Sequence, residues 1–308
     1  MNSVTGFVQI FIILCLVIYW IYLYKQMNVE NFEDISKTIN TNELPYNIWM
    51  YWENKPGETK PIYIDMCYKT IRRNCKRFKV HLLDQNTVNQ FIPNLRTDLG
   101  NKLERIPMKT DYIRYNLLYH YGGIWLDSDI IVFKDLSDIL KKLQEYEYVG
   151  FGCHDGDKKC EASMYGYPKP ANWIMISRKH SLLLKHCIDK VDKLLDMHDN
   201  SYFNTHYHIL GRNVIWDSIQ EIKSKNKHWD YLHMSSKCIE RDSNGRKYTN
   251  KVNMTMENID EYCKDNMYFT PIYNTAPGFP KWFLDLSENE ILNSTLLISK
   301  HFKKALGV

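Results

Sequence analysis

The sequence predicts an α/β fold, a mostly parallel sheet covered by helices, placed behind an N-terminal membrane-spanning helix. Three observations carry this. From Pro45 onward, apolar runs and amphipathic stretches alternate in strand-helix-strand-helix order. Residues 122–133, GGIWLDSDIIVF, follow a helical stretch with an apolar run that reads as buried strand. Val4–Tyr24, VTGFVQIFIILCLVIYWIYLY, holds no charge over the roughly 20 residues that a spanning helix needs.

That first run has only Thr5 and Gln9 as clearly polar residues. It lacks the basic start and the small-x-small end of a cleaved signal peptide. Tyr19, Trp20, Tyr22 and Tyr24 match an interfacial aromatic belt. Residues 1–24 are therefore expected to form an uncleaved, single-pass anchor. Lys25, the first positive side chain, follows the span, which leans toward a cytoplasmic body without deciding the side. Residues 25–44 are polar and without strong period, as a stem would be, and residues 45–308 form the body.

In the body, YNIWMYW (46–52) reads as a buried strand broken by ENKPG. Ile62 to Asn74 reads as a helix and Phe78 to Leu83 as a second strand. Asp84 is a candidate cap for a short helix through Phe91. In MKTDYIRYNLLYHYGG, Thr110 is the N-cap candidate and Gly122 or Gly123 the C-cap. Ile113, Leu117 and Tyr121 share its buried side, and Asp111, Arg114, Tyr115 and Leu118 an adjacent face. Ile124–Leu126 is a strand ending at Asp127, and IIVFKDL is another extended run. Further helices are expected over Leu182–Leu195 and Val214–Lys223. Residues 225–300 give no clear pattern.

A net charge of +4 with 25% charged residues gives no case for nucleic-acid binding. The short basic cluster Arg72, Arg73, Lys76, Arg77 and Lys79 reads as a solvated helix face. The cysteines outside the span show no CxxC and no zinc spacing. A Cys153–Cys160 bridge and scattered reduced thiols both stay open. Asn253-Met-Thr and Asn293-Ser-Thr match glycosylation sequons.

Asp127 and Asp129 pose the chemical question, because charged groups in an apolar run are costly unless something pairs with them. Ligands of open α/β sheets bind beyond the carboxyl ends of strands, where these residues sit. A hard divalent cation, with waters and substrate phosphates completing its shell, would be such a partner. The bare D-x-D pattern is weak, since a chain this long carries about one by chance. A second, Asp155-Gly-Asp157, lies in HDGDKKC, which reads as an exposed turn. Only the first follows an apolar strand and a helix with an Asp-x-x-Arg face.

TDYIRYNLLYHYGGIWLDSDIIVF closely resembles the signature of glycosyltransferase family 32 and its capsular-polysaccharide-synthesis relatives. LPYNIWMYWENKP, the spacing to FKVHLLD, and PANWIMISRKHSLL extend the likeness. It is strong over residues 44–136 and moderate over 160–190. It implies the GT-A fold, a Rossmann-like nucleotide-binding architecture. It implies a hexosyltransferase that moves a sugar from a UDP- or GDP-sugar to a glycan or other acceptor, in polysaccharide biosynthesis. It implies Mn²⁺ or Mg²⁺ as cofactor and a retaining outcome.

The resemblance also assigns roles. Trp52 stacks on the base while the backbone around Tyr51 reads the base edge. Asp111 and Arg114 hold donor-sugar hydroxyls and the leaving diphosphate side. Asp127 touches the ribose and the metal, and Asp129 ligates the metal directly. The family's C-terminal histidine near metal and diphosphate corresponds to His301 in LISKHFKKALG, without the tryptophan that commonly follows. The family's Gly-Pro before a late helix stands here as Gly211-Arg212.

Two rivals compete. IWLDSDII loosely fits a haloacid-dehalogenase opening, but Ile131 stands where Thr or Val is needed, and no later acid pair follows. A non-catalytic, anchored sugar-binding module is the other. Loss of a motif aspartate would favour it, and both are present.

Overall fold

In a computed structural model, the chain is described over residues 43–152, 170–235, 268–272, 274 and 279–308, together with Tyr19. The expected anchor and stem lie almost wholly outside these residues. Among the described residues, no helix is long and apolar enough to cross a membrane. Leu44–Val308 forms one unit. Asp155, Asp157, Cys153, Cys160 and Asn253 fall outside the described residues.

Strand β1 (Asn47–Tyr51) lies between β2 (Lys79–Leu83) and β3 (Gly123–Leu126), parallel to both. The sheet continues from β3 through β6 (Pro170–Ser177) and β5 (Tyr148–Gly152) to β7 (Leu232–Ser235). Only β6 runs against the others, so the sheet is mostly parallel as expected. Ile48, Met50, Ile124 and Leu126 face one apolar cluster, and Trp49, Tyr51 and Trp125 face another. That period of two, with both faces covered, is what makes these strands near-continuous apolar runs.

Helix α1 (Ile62–Asn74) has the bounds read from the sequence, and the basic cluster Arg72 to Lys79 is exposed. Helix α2 (Ile106–Tyr121) starts a turn earlier than expected. Its N-cap is Arg105, and Pro107 sits in the first turn, where a missing N–H costs nothing. Thr110 lies inside, donating its hydroxyl to the Ile106 carbonyl at 2.8 Å. A helix does not follow Asp84 as expected. Its carboxylate instead accepts from the Asn86 and Thr87 amides, each at 2.9 Å, and one 3₁₀ turn, Val88–Gln90, follows.

Helices α3 (Leu182–Met197) and α4 (Val214–Lys225) pack with α2 on the tryptophan face of the sheet. Sandwiched there, α2 buries every side chain from Thr110 to Leu118. Its polar residues must therefore find partners inside the protein. At its end, Gly122 (φ 66°) and Gly123 (φ 105°) take backbone conformations that other residues rarely adopt, turning the chain directly into β3.

At Asp127 the chain leaves the main sheet. After a turn, β4 (Ile130–Val132) pairs antiparallel with β8 (Phe269–Pro271) in a separate ribbon. The extended run after the aspartates thus belongs to a second sheet, against which α1, α5 (Glu288–Asn293) and α6 (Leu297–Leu306) pack in a third cluster. Cys67, Cys75 and Cys187 are buried free thiols.

Candidate active site

One turn apart on α2, Asp111 and Arg114 share a face. An Arg114 Nη2 lies 3.4 Å from Asp111 Oδ1 and 3.3 Å from Asp127 Oδ1, at the end of β3. The Trp125 indole N–H donates to the same Asp127 oxygen at 2.8 Å. The guanidinium carbon sits 5.1 Å from the centre of a Trp125 ring. Asn172, on β6, serves both partners: its side-chain N–H donates to Asp111 Oδ1 at 2.7 Å, and its carbonyl accepts from Arg114 Nη1.

Asp111 and Arg114 keep only 7% and 4% of their side-chain surfaces open, against 32% for Asp127. Burial lifts the Asp111 pKa to about 6, although Arg114 and Asn172 pull it down. Burial also raises that of Asp127, against Arg114 and Trp125. For Arg114, burial opposes the charge, but Asp127 and Asp111 outweigh it and the group is held protonated. Two carboxylates and one guanidinium leave the cluster one negative charge in excess when all are ionised. Such a cluster accepts hydrogen bonds from hydroxyls and attracts a cation.

Ser128 fixes the turn between the aspartates. It is buried, and its hydroxyl donates to the Tyr51 carbonyl at 2.6 Å, tying the turn to the end of β1. Asp127 and Asp129 are both half-buried on either side of it. Asp129 faces other partners: its carbonyl accepts from Ile272 N–H at 2.9 Å and its Oδ2 from Asn274 N–H at 3.0 Å.

Trp52 is half-buried just past β1, its indole N–H donating to Asn54 Oδ1 at 2.6 Å. The Tyr51 hydroxyl donates to Glu53 Oε2 at 2.6 Å, and Lys109 Nζ pairs with Glu53 Oε1 at 2.7 Å. His301 is 2% exposed on α6, with its ring centre 5.5 Å from that of Phe133. Burial and Lys304 push its pKa down to about 4, so the imidazole is neutral at neutral pH. Asp111, Arg114 and Asp127 thus form one cluster, Asp129 faces the ribbon, and Trp52 and Tyr51 border the turn.

Among the described residues, no three His, Cys, Asp or Glu side chains lie together so as to hold a metal ion, so the structure does not bring His301, expected from the resemblance as a ligand, into one group with Asp127 and Asp129. The donor set fits Mn²⁺ or Mg²⁺, which bind through one or two carboxylates and leave other positions to water and phosphate.

Several contributors escape sequence reading. Asn172 gives a faint signal, as a polar residue in the apolar run PANWIMIS. Gly211 is marked in the sequence only as the counterpart of the family's Gly-Pro, and a Cβ there would come within 2.5 Å of Asn172 Nδ2 and 2.8 Å of Asp111 Oδ2. The Tyr115 hydroxyl fixes this segment by bonding the Leu210 and Gly211 carbonyls at 2.8 and 3.0 Å. Nearby, Tyr207 has its ring centre 5.4 Å from the Arg105 guanidinium. Asn274 and Tyr63 were likewise unmarked.

Fold and site together define an α/β protein with an acidic, arginine-bridged site at the ends of parallel strands. A family profile described as capsular polysaccharide synthesis protein matches residues 21–250, which is 230 of 308 residues, and the chain belongs to that family. It is 33% identical over 106 residues to the glycosyltransferase afumC of Aspergillus fumigatus, covering 30% of this chain and 26% of that protein. It is 25% identical over 150 residues to the O-glycosyltransferase PaGT of Phomopsis amygdali, covering 41% and 36%. The chain thus spans about a quarter to a third of the length of these relatives. Mouse xyloside xylosyltransferase 1 in its apo form is similar at a TM-score of 0.41 and 11% identity, covering 75% of this chain and 99% of that one. So loose a likeness carries no side-chain role across.

Proposed function

We propose that this chain is a membrane-anchored, metal-dependent glycosyltransferase of GT-A type that moves a sugar from a UDP- or GDP-sugar to a glycan or other acceptor, with retention. The observation that carries the reading is the Asp111–Arg114–Asp127 cluster, with Asp111 and Arg114 buried and Asp127 partly open, beside the Asp127-Ser128-Asp129 turn at the strand ends. Family membership and the glycosyltransferase names of the relatives support it.

The reaction breaks a glycosyl–phosphate bond. Negative charge grows on the leaving diphosphate and positive charge on the sugar ring. Arg114, held protonated, stabilises the first, and Asp111 orients the donor sugar by accepting from its hydroxyls. Asp127, the more open carboxylate of the cluster, would face the ribose and, with Asp129, would hold Mn²⁺ or Mg²⁺. Such a cation, when bound, would supply Lewis-acid stabilisation of the diphosphate. Trp52 offers an indole to the base, with the Tyr51 backbone at its edge.

The test is a thermal-shift screen of the full chain with sugar nucleotides. A UDP- or GDP-sugar raises the melting temperature only with Mn²⁺ or Mg²⁺ present. Equal stabilisation in excess chelator overturns metal dependence. The anchor at Val4–Tyr24 belongs to the same proposal, so the full chain stays with membranes through an alkaline carbonate wash. Release into the supernatant counts against it.

A further inference from the structure

The ribbon of β4 and β8 holds Asp129 at two points. The Ile272 N–H donates to its carbonyl at 2.9 Å, extending the ladder in which Ile130 faces Pro271. Two residues on, the Asn274 N–H donates to its carboxylate at 3.0 Å. The Asn274 side chain turns the other way and donates to the Tyr63 hydroxyl at 2.8 Å. Tyr63 is fully buried in the second position of α1, its ring centre 5.6 Å from Phe283 and 6.0 Å from Phe279. A phenol in so apolar a cluster needs a polar partner, and Asn274 is one. A chain of contacts therefore runs from the first turn of α1 through Asn274 to Asp129.

We propose that Tyr63 and Asn274 are positioning residues that hold the Asp129 carboxylate in the orientation a divalent cation and a nucleoside diphosphate require. This rests on reading Asp129 as a metal ligand. A carboxylate on a turn is free to rotate about its side-chain torsions. Fixing one oxygen with a backbone amide restricts that rotation, and the amide is only as fixed as the residue that bears it. Tyr63 fixes that residue against a rigid helix. Sequence separation hides the arrangement, because the links stand at positions 63, 129 and 274.

The test measures Mn²⁺ binding by the full chain in the presence of UDP or GDP, read from the electron paramagnetic resonance of free Mn²⁺. Tyr63→Phe removes only the hydroxyl. Asn274→Ala keeps the backbone amide and removes its anchor. Each weakens Mn²⁺ binding by about 10-fold, as loss of a group that orients a ligand does. The double variant is no weaker than either single one, because both changes cut the same chain. Donor turnover at saturating Mn²⁺ stays near wild type, separating positioning from catalysis. Unchanged Mn²⁺ affinity in both single variants overturns the inference, and so do losses that add in the double variant. A wild-type chain that binds no Mn²⁺ with either diphosphate overturns the metal reading of Asp129 and this inference together. Tight wild-type binding with unaffected variants sinks this inference alone.

Discussion

Asp127 and Asp129 are two residues apart and belong to different parts of the molecule. Asp127 faces the main sheet, where Trp125 and Arg114 hold it and Asp111 competes for the same guanidinium. Asp129 faces the ribbon, where a backbone amide of Asn274 meets it. The first sits in a cluster in which one guanidinium serves two carboxylates, so the folded state depends on every member. Backbone amides of the ribbon meet both the carbonyl and the carboxylate of the second. One carboxylate is thus built into the charge cluster of the main sheet and its helix, while the other answers to the ribbon.

The largest effect separates these roles at Arg114. Arg114→Ala leaves Asp111 and Asp127 without their shared cation. Stability in urea unfolding should fall by about 3–5 kcal/mol. A loss under about 1 kcal/mol would erase the contrast. Asp129→Asn should do the opposite, sparing the fold while donor hydrolysis falls by about 100-fold or more, near 2.7 kcal/mol of transition-state energy. Asp157→Asn, in the second D-x-D, should leave hydrolysis within about threefold. If Asp157→Asn abolishes hydrolysis and Asp129→Asn spares it, the carboxylate that serves the reaction is Asp157 and not Asp129.

The last test is a pH dependence. Asp111 has its folded pKa raised to about 6, from about 3.9 in an unfolded chain. The unfolded chain loses this proton first, so the folded state weakens as pH climbs from about 4 to about 6. Below that window the penalty is absent. It amounts to something on the order of 3 kcal/mol at neutral pH. Asp111→Asn should flatten that part of the stability profile, measured by denaturant unfolding at pH 4 and pH 7. An unchanged slope would mean that Asp111 carries no burial penalty.

Legibility follows the range of the interactions. Helix α1 was read to the residue because its apolar positions and the strands around it are local patterns. The site helix was legible as a helix, but its start was not, because Pro107 looks like a breaker and is harmless in a first turn. Asp111, Arg114 and Asp127 were legible through a long local motif. Asn172 and Asn274 were not, because each acts across a long sequence gap on a residue near the motif. Strand β8, three residues long, takes its identity from pairing with β4 rather than from any period of its own. The fate of IIVFKDL was hidden for the same reason.

The joint at Gly122 and Gly123 has a mechanical consequence. A Cβ on Gly122 would come within 2.8 Å of the Lys179 amide and 2.9 Å of Pro45, and one on Gly123 would strike the Asn47 carbonyl. The joint is thus closed on the side where a side chain would stand. Arg114 lies upstream of it on a stiff helix, and Asp127 lies downstream on a stiff strand. Two rigid arms meeting at one pivot amplify small errors at the pivot into larger ones at their tips. A single methyl group at Gly123 would lever the strand off Asn47 and carry Asp127 away from Arg114. In a screen for lost activity, such a change would be indistinguishable from damage to the site, though neither glycine reaches it.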